Sequence, residues 1–151
     1  MEKLPHQYKV SVKGEPQNSL LTCTGNLPPI QVAPPAQFDG PGDKWSPEEL
    51  FMASLANCVI LSFRPIAKAS HFDWLSIECE STGTLEKVGH KIQFTGIQTK
   101  AKLTIASAEQ IEKAKRLLNK AEETCFISNT LSCPSHLECD IVIADSHATN
   151  P

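Results

Sequence analysis

W-S-P-E-E-L-F-M-A-S-L-A-N-C-V-I-L-S-F, residues Trp45 to Phe63, is the stretch that decides how the rest of the chain is read. It opens with helix-start chemistry. Ser46 is a capping residue, Pro47 suits the first helical position, and Glu49 stands three residues after Ser46, the capping-box spacing. From Leu50 onward the segment is apolar almost all round, and a helix without a polar face is a buried helix. Ser54, Asn57, Ser62 and then Arg64-Pro65 interrupt it, so it reads as too short and too broken for a membrane span. Pro65 is expected to end or kink it. Cys58 lies at its centre, either as inert packing, the usual place of a free cysteine, or as the reason the helix is there.

Working outward, 151 residues suffice for one domain with a sizeable core, and 40% apolar with 21% charged residues is ordinary for a soluble globular chain. A net charge of −3 leaves no basic footprint and argues against nucleic acid as a partner. The N-terminus, Met-Glu-Lys-Leu-Pro, has no apolar signal region, so a cytoplasmic location without a membrane partner is expected. Six cysteines, at 23, 58, 79, 125, 133 and 139, then report burial or redox chemistry and not a disulfide framework, and no C-x-x-C pair is present.

Residues 1–44 read as an N-terminal hairpin and loop. His6 to Lys13 alternates, with Tyr8, Val10 and Val12 on one face, and Ser19 to Thr24 forms the second strand. Pro28 to Pro35 has room only for a short edge strand, and Asp39-Gly40-Pro41-Gly42-Asp43 is a flexible approach to the central helix, residues 46–70. Strands follow over 74–105. The first has Trp74, Ser76, Glu78 and Glu80 opposed to Leu75, Ile77 and Cys79, and the second is bulged at Gly96. A second helix spans 107–126, opened by Ser107 with Gln110 at the capping-box position. Its stripe Ile111, Ala114, Leu118, Ala121, Cys125 puts Cys125 on the buried face at the C-terminus. A last strand covers 137–143, and a polar tail, expected to fray, runs from Asp145 to Pro151. The order gives a single α+β domain. A helix apolar on every side needs more cover than one sheet and one helix supply, and a symmetric dimer would provide it.

Cys58 and Cys125, 67 residues apart, both fall on faces predicted to be buried. If the fold brings them within about 7 Å of each other at Cα, a bridge can form, and one thiol oxidised to a sulfenic acid can then be resolved by the other. The alternative is two packed cysteines that never meet. Cys133, His136 and Cys139 form C-x-x-H-x-x-C, but the spacing is not a standard zinc one and strand alternation would split His136 from Cys139. His6, His71, His90 and His147 read as surface or turn residues, Trp45 and Trp74 as core or interface anchors.

Two motifs carry a family resemblance. W-S-P-E-E-L-F-M-A-S-L-A-N-C resembles the reactive-cysteine segment of the OsmC/Ohr group of organic hydroperoxide reductases, Pro-Glu-(Glu/Gln)-Leu followed by a small-residue run to Cys. C-F-I-S-N-T-L is similar to that group's second motif, Cys-x-x-Ser-Asn. Their order and spacing match as well, over nearly the whole chain. The resemblance implies an OsmC-like fold, antiparallel sheets packed on a long buried central helix, and an intertwined homodimer with two active sites at the interface. It implies Cys58 as peroxidatic thiol, Cys125 as resolving thiol and Glu48 as active-site carboxylate. The implied activity is a thiol-dependent peroxidase of the oxidative stress response, acting on organic hydroperoxides and recycled by a dithiol reductant, with a lipoyl-type dithiol as candidate. No cofactor or metal is implied.

The chain departs from the family pattern in one respect. Members usually place an arginine near the thiolate from the N-terminal hairpin region, and here no arginine precedes Arg64. Arg64 lies about 9 Å further along the helix than Cys58 and about 120° round it, and Arg116 is about half a turn off the face of Cys125. Lys13 is the most economical substitute, although a point charge does not replace a bidentate fork. Glu48 is about 15 Å from Cys58 along a straight helix, so its role needs a kink, an intermediary cation or the partner subunit; otherwise it serves the helix dipole. The apolar surroundings of Cys58 suit an alkyl or lipid hydroperoxide, with Phe51, Leu55, Ile60, Phe63 and Phe126 as candidate lining residues and Ser128 and Asn129 positioning the Cys125 turn. The competing expectation is a non-catalytic dimer of the same fold that binds an apolar ligand or senses oxidants.

Overall fold

In a computed structural model, the structure describes residues 1–145; His147 and the tail beyond Asp145 lie outside them. The chain divides into two compact units, Met1–Phe51 and the remainder from Met52. In the first unit β1 (Ser11–Lys13), β2 (Leu20–Cys23) and β3 (Ile30–Val32) form an antiparallel sheet in the order β1-β2-β3. β1 is shorter than the alternation from His6 predicts, because ladder pairing reaches only from Ser11↔Cys23 to Lys13↔Leu21. The prolines confine β3 to three residues at the sheet edge, as expected. Gly40 closes the approach loop by donating from its N–H to the Pro35 carbonyl at 3.0 Å.

Helix α1 (Pro47–Ala69) then begins as its capping residues dictate. The Ser46 Oγ accepts from the Glu49 N–H at 3.1 Å and donates to the Glu49 carboxylate at 3.1 Å. Pro65 does not end the helix, which continues to Ala69, close to the expected extent of 46–70. Pro65 is exposed, whereas Phe63 and Ala67 on either side of it are fully buried. Their burial, about 2–3 kcal/mol for the phenylalanine alone, offsets the missing N–H. At 23 residues, with a mean hydropathy of 1.6 over its most apolar window, α1 is also long and apolar enough to cross a membrane by length and composition. That overturns the reading of it as too short, although the core helix of a soluble protein passes the same test. Within one chain only the stripe Leu55, Val59, Phe63, Ala67 is buried.

The second unit holds β4 (Ser76–Val88), β5 (Lys91–Ile105) and β6 (Ser135–Ile143) in the order β4-β5-β6. β4 and β5 pair antiparallel; β5 and β6 pair parallel, the exception to the antiparallel expectation. The bulge falls at Thr95, one residue from the expected Gly96, since Thr84 faces Gly96 and Leu85 faces Phe94. On β5 the alternate residues Ile97, Thr99, Ala101, Leu103 and Ile105 are buried. Of these, Ala101, Leu103 and Ile105 pack with Phe63 and Ala67 and with Ala114, Leu117, Leu118 and Ala121 of α2 (Ile111–Glu123) as one core. Trp74 and Leu75 reverse their expected sides: both precede the strand, Leu75 is 60% exposed, and Trp74 packs edge-on against Phe63 with ring centroids 5.5 Å apart. The architecture is an α+β arrangement of two small sheets and helices.

Candidate active site

Cys58 sits in α1 beside the buried stripe and is itself half-buried. One turn further on, where a helix brings residue i+4 onto the same face, the Ser62 Oγ lies 3.8 Å from the Cys58 Sγ.

Cys125 is not the last residue of the second helix, as its stripe predicts. α2 ends at Glu123, and Cys125, extended at φ −67° and ψ 117°, is the N-cap of a separate short helix, α3 (Phe126–Asn129). Its burial is complete, as expected. The sulfur takes the role that a Ser or Asp oxygen plays at other helix starts, accepting the Ser128 N–H at 3.5 Å. The remaining N–H groups of a first helical turn have no partner within the helix. Those of Phe126 and Ile127, together with the Cys125 thiol, favour the ionised form of the Cys58 sulfur. The fold therefore brings the two cysteines near enough for each to shift the acidity of the other.

The contact separates their acidities. Burial opposes ionisation of Cys58, but the Cys125 thiol, the Ile127 N–H, the Ser62 hydroxyl and the Phe126 N–H together outweigh it, and the Cys58 thiol is held below the ordinary thiol value. Cys125 moves the other way. Burial and its hydrogen bond to Cys58 raise it, against smaller lowering by Ser128. The pair shares its protons, so the first one lost belongs to the dyad, with the negative charge resting on Cys58. One thiol is thereby eased toward its thiolate while its neighbour is held toward the protonated form, an arrangement compatible with a two-thiol oxidation cycle.

The other candidates are scattered. Glu48 lies in the first turn of α1, with its Oε2 buried and without a hydrogen-bond partner among the described residues. Lys13, Arg64 and Arg116 are exposed, and no cationic side chain is among the groups that set the acidity of Cys58. Of the proposed lining residues, Leu55 and Phe63 are spent in the core, Phe51 and Ile60 are half-buried, and Phe126 is 80% exposed. His136 and Cys139 fall on opposite faces of β6, and no group of three His, Cys, Asp or Glu side chains among the described residues is placed to hold a metal. All six cysteines are free thiols. The hydrogen-bond donors to Cys58 are what sequence reasoning missed. The spacing of Ser128, three residues after Cys125, is the N-cap spacing and signals α3, but nothing in sequence ties α3 to Cys58.

A profile of the OsmC-like protein family matches residues 40–140. The uncharacterized protein YmaD of Bacillus subtilis (strain 168) is 25% identical over 111 residues, 72% of this chain and 73% of that protein. Among solved structures, an OsmC-like protein of unknown function from Vibrio cholerae superposes with a TM-score of 0.81 at 18% identity, over 89% of this chain and 99% of that one. An organic hydroperoxide resistance protein OsmC from Legionella pneumophila, described as a predicted redox protein, gives a TM-score of 0.74 at 22% identity, over 93% and 100% of the two chains. At these identities the structural likeness speaks for the fold, and together with the family profile it means that the chain belongs to the OsmC-like family.

Proposed function

We propose that the protein is a thiol-dependent peroxidase that reduces organic hydroperoxides, with Cys58 as the peroxidatic and Cys125 as the resolving thiol. What supports this reading is the interaction of the two thiols, which favours the thiolate at Cys58 and the protonated thiol at Cys125. The Cys58 thiolate attacks the terminal oxygen of ROOH; an S–O bond forms, the O–O bond breaks, and the alkoxide leaves as ROH after taking a proton. Cys125 gives up its proton and attacks the sulfenic sulfur, expelling hydroxide that leaves as water, and the Cys58–Cys125 disulfide results. A dithiol, of the lipoyl type or another, returns both thiols through a mixed disulfide and is itself oxidised to its disulfide. Glu48 belongs to the site on its motif position, and its unpartnered Oε2 is an acceptor that a cationic group would satisfy.

The same reading makes the protein a homodimer within a reducing cytoplasm, with residues 1–151 as one OsmC-like domain. Support for the dimer comes from α1, whose most apolar window is only 22% buried within one chain and whose Leu61 is exposed. Thiol counting tests the proposal. One equivalent of cumene hydroperoxide per chain should remove two titratable thiols, dithiothreitol should restore them, and Cys58→Ser should abolish the loss. Six thiols retained after the peroxide treatment would leave a binding or sensing dimer instead.

A further inference from the structure

The chain lacks the N-terminal arginine its family resemblance calls for, and the groups that meet the Cys58 sulfur are uncharged: the Cys125 thiol, the N–H groups of Phe126 and Ile127, and the hydroxyl of Ser62. Three of these four belong to the Cys125 segment. The fourth comes from the same helix as Cys58. The half-buried Ser62 behaves differently from three other polar residues of the helices and their ends. Asn57, Asn119 and Thr124 each turn their side chains back to the carbonyl four residues before, at 2.8, 2.9 and 2.9 Å. A serine in a helix commonly does the same. Ser62 pairs instead with the Cys58 Sγ, 3.8 Å from its Oγ, with either atom able to donate.

We infer that Ser62 is a catalytic residue, a fixed hydroxyl donor to the Cys58 sulfur that takes over part of the work a cation would do. A hydroxyl has one hydrogen and two lone pairs, so it can accept from the thiol and, once the thiol ionises, rotate to donate to the thiolate. A hydrogen bond to the charged form favours that form. The donor sits on a helix and needs no charged side chain to be desolvated beside the apolar stripe of α1. The inference rests on the reading of Cys58 as the attacking thiol for its catalytic meaning, but the hydrogen bond itself can be measured without any peroxide.

The experiment is the pH dependence of Cys58 alkylation by iodoacetamide in the reduced full-length protein. Modification at residue 58 is read by peptide mass mapping, for wild type, Ser62→Ala and Ser62→Thr. One lost hydrogen bond to a thiolate should raise the midpoint for Cys58 by about half to one pH unit in Ser62→Ala, which is roughly three- to tenfold less thiolate at pH 6. Ser62→Thr keeps the hydroxyl and should titrate with wild type. Coincident curves for wild type and Ser62→Ala overturn the assignment, as does a shift of equal size in Ser62→Thr. Consumption of cumene hydroperoxide, followed in the same three proteins, separates this inference from the peroxidase reading. A shifted titration without turnover in any of them sinks the peroxidase and leaves the hydrogen bond standing. Equal turnover with coincident titrations sinks Ser62 alone.

Discussion

Cys79 offers a test of the packing that owes nothing to the proposed chemistry. It lies on the inner face of β4, with Ala101 beside it on β5 and Cys139 beyond that on β6. Burial, then Cys139, then the Glu122 carboxylate push its thiol up to about 11. An ordinary thiol ionises near pH 8.5. Between about pH 8.5 and 11 the unfolded chain has therefore lost a proton that the folded chain retains. The unfolded state binds fewer protons, so stability falls as pH rises through this window and is fully retained below it. The separation corresponds to about 3 kcal/mol at most. Cys79 is only half-buried, so solvent screening brings this to roughly 1–1.5 kcal/mol. Replacing Cys79 by Val, a close match in volume, removes the ionisable group. Urea unfolding with a non-thiol reductant should then show the difference in stability between Cys79→Val and wild type moving in favour of the variant by roughly that amount from pH 8 to pH 10.5. The double difference cancels Lys and Tyr titration elsewhere. Parallel pH profiles for the two proteins would refute the burial and the electrostatics together.

Two further outcomes follow from single positions. A Cβ at Gly40 would stand 1.7 Å from the Pro34 carbonyl oxygen and 2.9 Å from that of Pro35; rigid backbone cannot yield as a side-chain tip can, so Gly40→Ala should cost at least ~2 kcal/mol in urea unfolding, and a loss below 0.5 kcal/mol would mean the loop is not built this way. Pro65→Ala should stabilise the protein by about 1–2 kcal/mol, since it restores an N–H to the interior of α1 at an exposed site and gives back only part of that gain through a freer unfolded chain; an unchanged or lowered thermal midpoint would show that the proline is tolerated without strain.

The elements whose evidence is local were legible from residues alone. The capping residues of α1 place its start within one residue, and proline confines β3 to the edge. The strand region expected over 74–105 ends where β5 ends, at Ile105. What failed needed tertiary information. A periodic stripe carries Cys125 to the end of α2, but the chain stops that helix two residues earlier, because the sulfur is better placed as the cap of α3. Of the two effects expected of Pro65, an end or a kink, the end does not occur, and the neighbours of the proline on both sides are fully buried. Both helix motifs around the candidate site were visible, and their meeting was an expectation that spacing could not establish. The missing arginine shows the same limit in chemistry. Sequence reasoning looks for a charged side chain to stabilise a thiolate, since charge is written in the residue alphabet. Backbone N–H groups at a helix start are written nowhere in it, because every residue but proline has one. Two of them are brought from 68 and 69 residues downstream to the sulfur that needs them. The absence of an arginine before Arg64 therefore weighs less against a reactive Cys58 than it does at first sight: backbone N–H groups that favour the thiolate act in the same direction as a nearby positive charge, and here they arrive on the same short segment that carries the second thiol.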